Sequence, residues 1–211
     1  MTERKQQILE AAIEIIASEG YAKLTMRALA RASGMKLGAL QYHFPTWKDL
    51  LQALAAFIGE EYERSFDALA EGSASPDLRE TVQFLLDEAP ADVTLQFEKL
   101  FPQLWAMALV EPVMESLLDE ILRRYIDLLE ERLIAEGSRA PRAEALVLLS
   151  MAGGATLFLG RGRPWERDAK AVREAVLEFV DANYGDRGGD RGGDRGGNRG
   201  DDQGKRRREG Q

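Results

Sequence analysis

Apolar residues recur along this chain at three- and four-residue intervals, and the alternating β-branched runs that mark strands are absent. Ile8, Leu9, Ala12, Ile13 and Ile16 form a first helical stripe, which Gly20 closes as a C-terminal cap. Thr25 stands as the N-cap of a short helix with Ala28, Leu29 and Ala32 turned inward, and Gly34 ends it. A second short helix over 36–43 follows almost at once. Thr46-Trp-Lys-Asp49 reads as a capping box, with Asp in the place of Glu, opening a helix that runs to about Ala70. Ser75-Pro76 is the next expected start, and Pro90, Pro102 and Pro112 punctuate the middle of the chain. A long amphipathic helix is expected from Pro112 to Glu136, stopped by Gly137, and two more over 141–159 and 166–184. The pattern predicts an all-α protein of about nine helices.

Composition narrows the function. With 211 residues, 45% of them hydrophobic, the chain can bury a full core. It has no cysteine and one histidine, which leaves no disulfide, thiolate metal site or thiol nucleophile and very few triads. Gly160-Arg-Gly162 does not continue into a dinucleotide fingerprint, and no phosphate-cradling loop ends in Lys. No enzyme, no metal and no cofactor are therefore expected. The opening residues lack a signal-like apolar run, and no apolar stretch was expected to approach about 20 residues, so the expected location is the cytoplasm without a membrane contact.

The net charge of -8 hides an asymmetry. Residues 1–48 carry seven Lys/Arg against four Glu, a balance of +3, whereas residues 49–185 carry 13 basic and 26 acidic residues. A basic head on an acidic body is the distribution expected when only one end meets phosphates. After Tyr184, Gly-Asp-Arg-Gly repeats with a period of four and the chain ends near Lys205-Arg-Arg-Arg208. Residues 185–211 have no apolar residue to bury and are expected to be a disordered Gly/Arg/Asp-rich tail, whose alternating charges largely cancel.

The informative segment is 25–44, TMRALARASGMKLGALQYHF. Two short helices joined by a tight Gly-containing turn make a corner, with residues 3–19 as the packing partner. Such a corner exposes its second helix, which fits the major groove of DNA. At Thr25, Leu29, Ala30, Ser33, Gly34, Gly38, Leu40, Tyr42, His43, Phe44, Lys48 and Leu50 the sequence resembles the tetracycline-repressor (TetR) family of transcription regulators. The resemblance covers about residues 2–62. It implies an N-terminal three-helix helix-turn-helix DNA-binding domain over 2–62 and a larger helical effector-binding and dimerisation domain over 63–184. The protein would be a homodimeric repressor on a pseudo-palindromic double-stranded operator, released by a small apolar or amphipathic effector.

Three positions depart from the family pattern, Lys36, Leu37 and Gln41, so the base-reading code does not carry over. On chemistry alone, Gln41 can pair bidentately with adenine, Leu37 can meet a thymine methyl, and Lys36 can reach guanine or a phosphate. Tyr42 and Lys48 resemble the family's phosphate-contacting positions. Thr25 serves as a cap and also suits a phosphate. His43 either packs the corner or meets a phosphate, and Arg27 is the basic residue of the second helix nearer the DNA.

In the body, Phe84, Gln96, Phe97, Phe101, Gln103, Trp105 and Met114 concentrate large adaptable side chains and amides; they read as core or as an effector pocket. Leu146, Leu149, Gly153, Gly154, Leu157 and Phe158, with Val176 and Phe179 on the following helix, present more apolar surface than one neighbouring helix covers. They are the expected dimer interface. The competing reading of the whole chain is a helical adaptor with a basic N-terminal end that binds no DNA.

Overall fold

The computed structural model describes residues 2–72, 76–87, 97–160 and 162–185. Within them lie nine α-helices and no strand: α1 (Glu3–Glu19), α2 (Met26–Ala32), α3 (Leu37–His43), α4 (Trp47–Gly72), α5 (Leu78–Leu86), α6 (Phe97–Ala108), α7 (Pro112–Ala135), α8 (Pro141–Leu159) and α9 (Ala169–Tyr184). Two single 3-10 turns, Tyr21–Lys23 and Glu166–Asp168, precede α2 and α9. The repeat region 186–211 lies outside the described residues, as does Gln96.

Local chemistry sets most boundaries. The Thr2 hydroxyl accepts from the Lys5 N–H at the start of α1, and Gly20, at φ 89°, turns the chain away at its end. Thr46 and Asp49 form the expected reciprocal box, with Asp49 N–H donating to Thr46 Oγ1 at 3.1 Å and Thr46 N–H to Asp49 Oδ2 at 3.0 Å. At the end of α7, Gly137 adopts φ 74°, and the Gly137 and Ser138 N–H groups bond back to Ile134 and Leu133. That pairing satisfies two carbonyls the helix end would otherwise leave open.

Four expectations are corrected. The helix expected from Ser75-Pro76 begins at Leu78, because Asp77 and Glu80 cap it reciprocally and outcompete the serine–proline start. Pro102 does not break the chain: α6 runs through it, forgoing one N–H bond, with Leu100, Leu104 and Met107 fully buried on both sides. The last helix begins at Ala169, since Glu166–Asp168 is a separate 3-10 turn. Finally, α8 is a 19-residue helix with a mean hydropathy of 1.4, long and apolar enough by length and composition to cross a bilayer.

Two apolar cores organise the helices. The first joins α1, α2, α3 and most of α4 to α6 and the first half of α7, with Leu100, Leu104, Met107, Leu117 and Ile121 packed among Ile8, Ile16, Leu54 and Ile58. The second joins α5, the second half of α7, α8 and α9 around Val82, Leu129, Leu133, Leu148 and Val180. Arg79 and Arg173 clamp α5 to α9 by donating to the Leu177 and Leu86 carbonyls, both at 3.2 Å, and pairing with Asp181 and Asp87. Between the cores, Phe66 packs at a tilt against Tyr125 with ring centroids 4.7 Å apart, and Phe84 lies 6.2 Å from Phe66.

Candidate nucleic-acid interface

The corner formed by α2 and α3 is built from few residues. Thr25 Oγ1 accepts from the Ala28 N–H at 3.1 Å, which starts α2. At its end, Gly34 takes φ 63°, a left-handed conformation that suits glycine. The Gly34 N–H donates to Arg31 and the Met35 N–H to Ala30, at 3.1 and 2.8 Å. This six-residue closure ends α2 and sends the chain into α3 within four residues. The Arg4 guanidinium donates to the Ser33 carbonyl at 3.2 Å, fastening α1 to the same turn.

One side chain holds α3 to the rest of the corner. Leu40 is fully buried beside Leu29, and Phe44 closes the helix end beneath the ammonium of Lys5, 5.5 Å from its ring. Lys36, Gly38, Ala39, Gln41 and Tyr42 are exposed, and Tyr42 is 85% exposed. Leu37 and His43 are half-buried, with the His43 ring edge-on to Tyr42 at 5.6 Å. Thr25, Arg27 and Lys48 are exposed as well, from the starts of α2 and α4. The residues expected to meet DNA thus lie on three consecutive helix starts and on the uncovered side of α3.

Sequence reasoning left Gly38 and Ala39 out of this set. A Cβ added to Gly38 would meet nothing within 4 Å, so no packing inside the chain calls for glycine there. A glycine inside a helix costs about 0.5–1 kcal/mol relative to alanine. An unexplained glycine on an exposed helical face was the signal that could have found it.

The residues expected to form an effector pocket are dispersed. Phe84, on α5, packs against Phe66, whereas Phe101 and Trp105, on α6, pair edge-on at 6.4 Å, and Trp105 is 47% exposed. Met114 is fully buried in the first core. Gln103 turns the other way, accepting from the Tyr21 N–H at 3.1 Å. The Phe97 side chain and Gln96 lie outside the described residues. A groove of about 450 Å³ does open between α4 and α7, lined by Gln52, Gly59, Glu60, Phe66, Ser116 and Glu120 among others, and it shares none of the seven. Among the described residues, no group of three or more His, Asp or Glu side chains is placed to hold a metal ion.

The apolar residues of α8 divide into two faces. Ala145, Leu148 and Ala152 are buried in the second core, while Leu146, Val147, Leu157 and Phe158 are exposed. Phe179 of α9 is exposed too, and Val176 is not: it is buried in the chain's own second core. Leu149, Gly153 and Gly154 are half-buried, and a Cβ on either glycine would meet nothing within 4 Å. Val147 was missed by sequence reasoning and lies beside Leu146 in a shallow groove with Ser150 and Met151.

An all-α chain with a helix-turn-helix corner, an uncovered second helix and a larger helical body is a DNA-binding transcriptional regulator of the helix-turn-helix type. Residues 8–54 match the family described as bacterial regulatory proteins, tetR family. An uncharacterized HTH-type transcriptional regulator from the dhlA 5' region of Xanthobacter autotrophicus is 29% identical over 183 residues, covering 83% of this chain and 89% of that one. The fold is shared with a transcriptional regulator from Saccharomonospora viridis solved in complex with choline (TM-score 0.70, 20% identity, 87% of this chain and 98% of that one). It is also shared with the multidrug binding protein EbrR solved with imidazole (TM-score 0.57, 26% identity, 85% of this chain and 96% of that one). Members of this family are regulators and not enzymes.

Proposed function

We propose that this regulator is a cytoplasmic homodimeric repressor that occupies a pseudo-palindromic operator and leaves it when a small apolar or amphipathic effector enters the helical body. The observation that carries the reading is the pairing of two open faces on one chain. One is the polar, uncovered side of α3, with Lys36, Gln41 and Tyr42 free to reach a groove. The other is the uncovered apolar side of α8, which a second copy would bury. A two-fold axis through α8 and α9 repeats α3 once per half-site, which turns a dimer into a palindrome reader. The same exposed face accounts for the bilayer-like composition of α8 without a membrane.

Gly154 tests the dimer. A Cβ there meets nothing within 4 Å, so the variant should fold, while the added side chain blocks close approach of a second copy. Gly154→Leu is expected to sediment as a monomer and to lose operator affinity; a dimeric, normally binding variant would remove α8 from the interface. The effector reading is supported by the groove of about 450 Å³ between α4 and α7 and by the choline and imidazole held by the two similar structures. Its test is a compound that raises the melting temperature and frees a labelled operator at the same concentration. Repression is tested with a reporter behind the selected operator, which the regulator should silence. A helical adaptor that binds no DNA would select no motif from a random pool.

A further inference from the structure

The 3-10 turn at Tyr21 is fastened to a helix more than 80 residues away. Its backbone N–H donates to Gln103 Oε1 at 3.1 Å, and its hydroxyl donates to the Glu111 carboxylate at the corner between α6 and α7. Gly20 gives the turn its path at φ 89°, and a Cβ there would stand 3.6 Å from the same Gln103 oxygen. The ring lies 6.5 Å from Trp47, the first residue of α4. Partial burial, with Glu111 at the hydroxyl, pushes the Tyr21 phenol above its ordinary pKa. Four residues further on is Thr25, which caps α2 and opens the DNA-binding corner.

Among the described residues, α6 also sends Leu100, Leu104 and Met107 into the apolar core it shares with α1. Apolar packing is non-directional, whereas two hydrogen bonds from one residue fix both position and rotation. We infer that Tyr21, with Gln103 and Glu111, is the positioning residue that sets the angle of the DNA-binding corner on the body, and thereby the spacing of the two operator half-sites. The inference rests on the dimeric reading proposed above. In a dimer, the separation of the two α3 helices follows from that angle. One added base pair moves a half-site by about 3.4 Å and rotates it by roughly a tenth of a turn. A corner held only by apolar contacts can follow such a shift; one held by the Tyr21 bonds cannot.

The experiment selects bound sequences from a random pool with the full-length wild type, Tyr21→Phe and Glu111→Ala. The Glu111 side chain makes no capping bond at the start of α7, so its removal leaves that helix start intact and breaks the same bond from the other side. Wild type is expected to select paired half-sites at one spacing. Both variants should keep the half-site sequence, while discrimination against a spacer one base pair longer falls by about tenfold, the share of one hydrogen bond to a charged group. The double variant should be no looser than either single one. Wild-type selection of unpaired half-sites would overturn the dimeric reading and this inference with it. Paired half-sites whose spacing stays as strict in both variants as in wild type, or a uniform loss of affinity with unchanged spacing, would overturn this inference alone.

Discussion

Replacing Gly38 with alanine should move stability and DNA affinity in opposite directions. Gly38 is the second residue of α3 and lies one turn before Tyr42, on the side of the helix away from buried Leu40. A Cβ there meets nothing within 4 Å and no positive φ stands in its way. The substitution therefore removes backbone freedom from the unfolded chain at no steric cost. The gain is about 0.5 kcal/mol, the low end of the glycine–alanine difference, because the site is in the first turn of a short helix. For a chain of this length that raises Tm by roughly 1–2 °C. On DNA the methyl group projects where the groove floor should lie, and overpacking a fitted contact costs about 1–3 kcal/mol, roughly 5- to 150-fold in Kd. Thermal melting and fluorescence anisotropy on the selected operator measure the two quantities on one sample. An alanine variant that is more stable and binds as tightly as wild type would show that this edge of α3 does not approach DNA. A less stable variant would show that Gly38 serves the fold.

Within the same interface, Gln41→Ala should cost about 1–3 kcal/mol and relax base preference at one position per half-site, whereas Lys48→Ala should weaken all sequences alike and flatten the salt dependence. A selected motif unchanged by Gln41→Ala removes that residue from base reading. Burial raises the phenol pKa of both Tyr62 and Tyr125 above the ordinary value of 10.0. Their neutral forms are favoured by folding, so that contribution is intact below pH 10 and declines as the pH climbs past it, where the unfolded phenols ionise first. Melting curves at about pH 9 and about pH 11 should show a loss of stability that Tyr125→Phe reduces; an equal loss in the variant would place the alkaline sensitivity elsewhere.

The DNA-binding corner was legible because its determinants are local. Thr25 caps, Gly34 turns and Leu40 anchors within sixteen residues, and each leaves its mark on the residue type chosen. The rest depended on partners distant in sequence. Gln103 beside an apolar stripe reads as a pocket amide, and only the approach of Tyr21 shows it to be half of a tie between the corner and the body. Val176 has the spacing of an interface residue, but α9 packs on α5 and α8 and Val176 is buried in the chain's own core. Pro102 has the chemistry of a helix breaker, and burial of Leu100, Leu104 and Met107 around it outweighs one absent hydrogen bond.

The boundary expected after residue 62 shows the same limit and carries a prediction of its own. That boundary, which the resemblance implies, falls inside α4 and is not the edge of a core. The first core contains Leu100, Leu104, Met107, Met114, Leu117 and Ile121, all supplied by α6 and α7 and all buried. Fully burying one such side chain contributes about 1.5–3 kcal/mol, so six of them amount to roughly 9–18 kcal/mol. A whole domain is typically stable by only about 5–15 kcal/mol. A fragment of residues 2–62 is therefore expected to lack a cooperative melt and to lose specific operator binding, although it holds every residue assigned to the DNA. Dispersed amide resonances and a sharp thermal transition from that fragment would refute the single shared core.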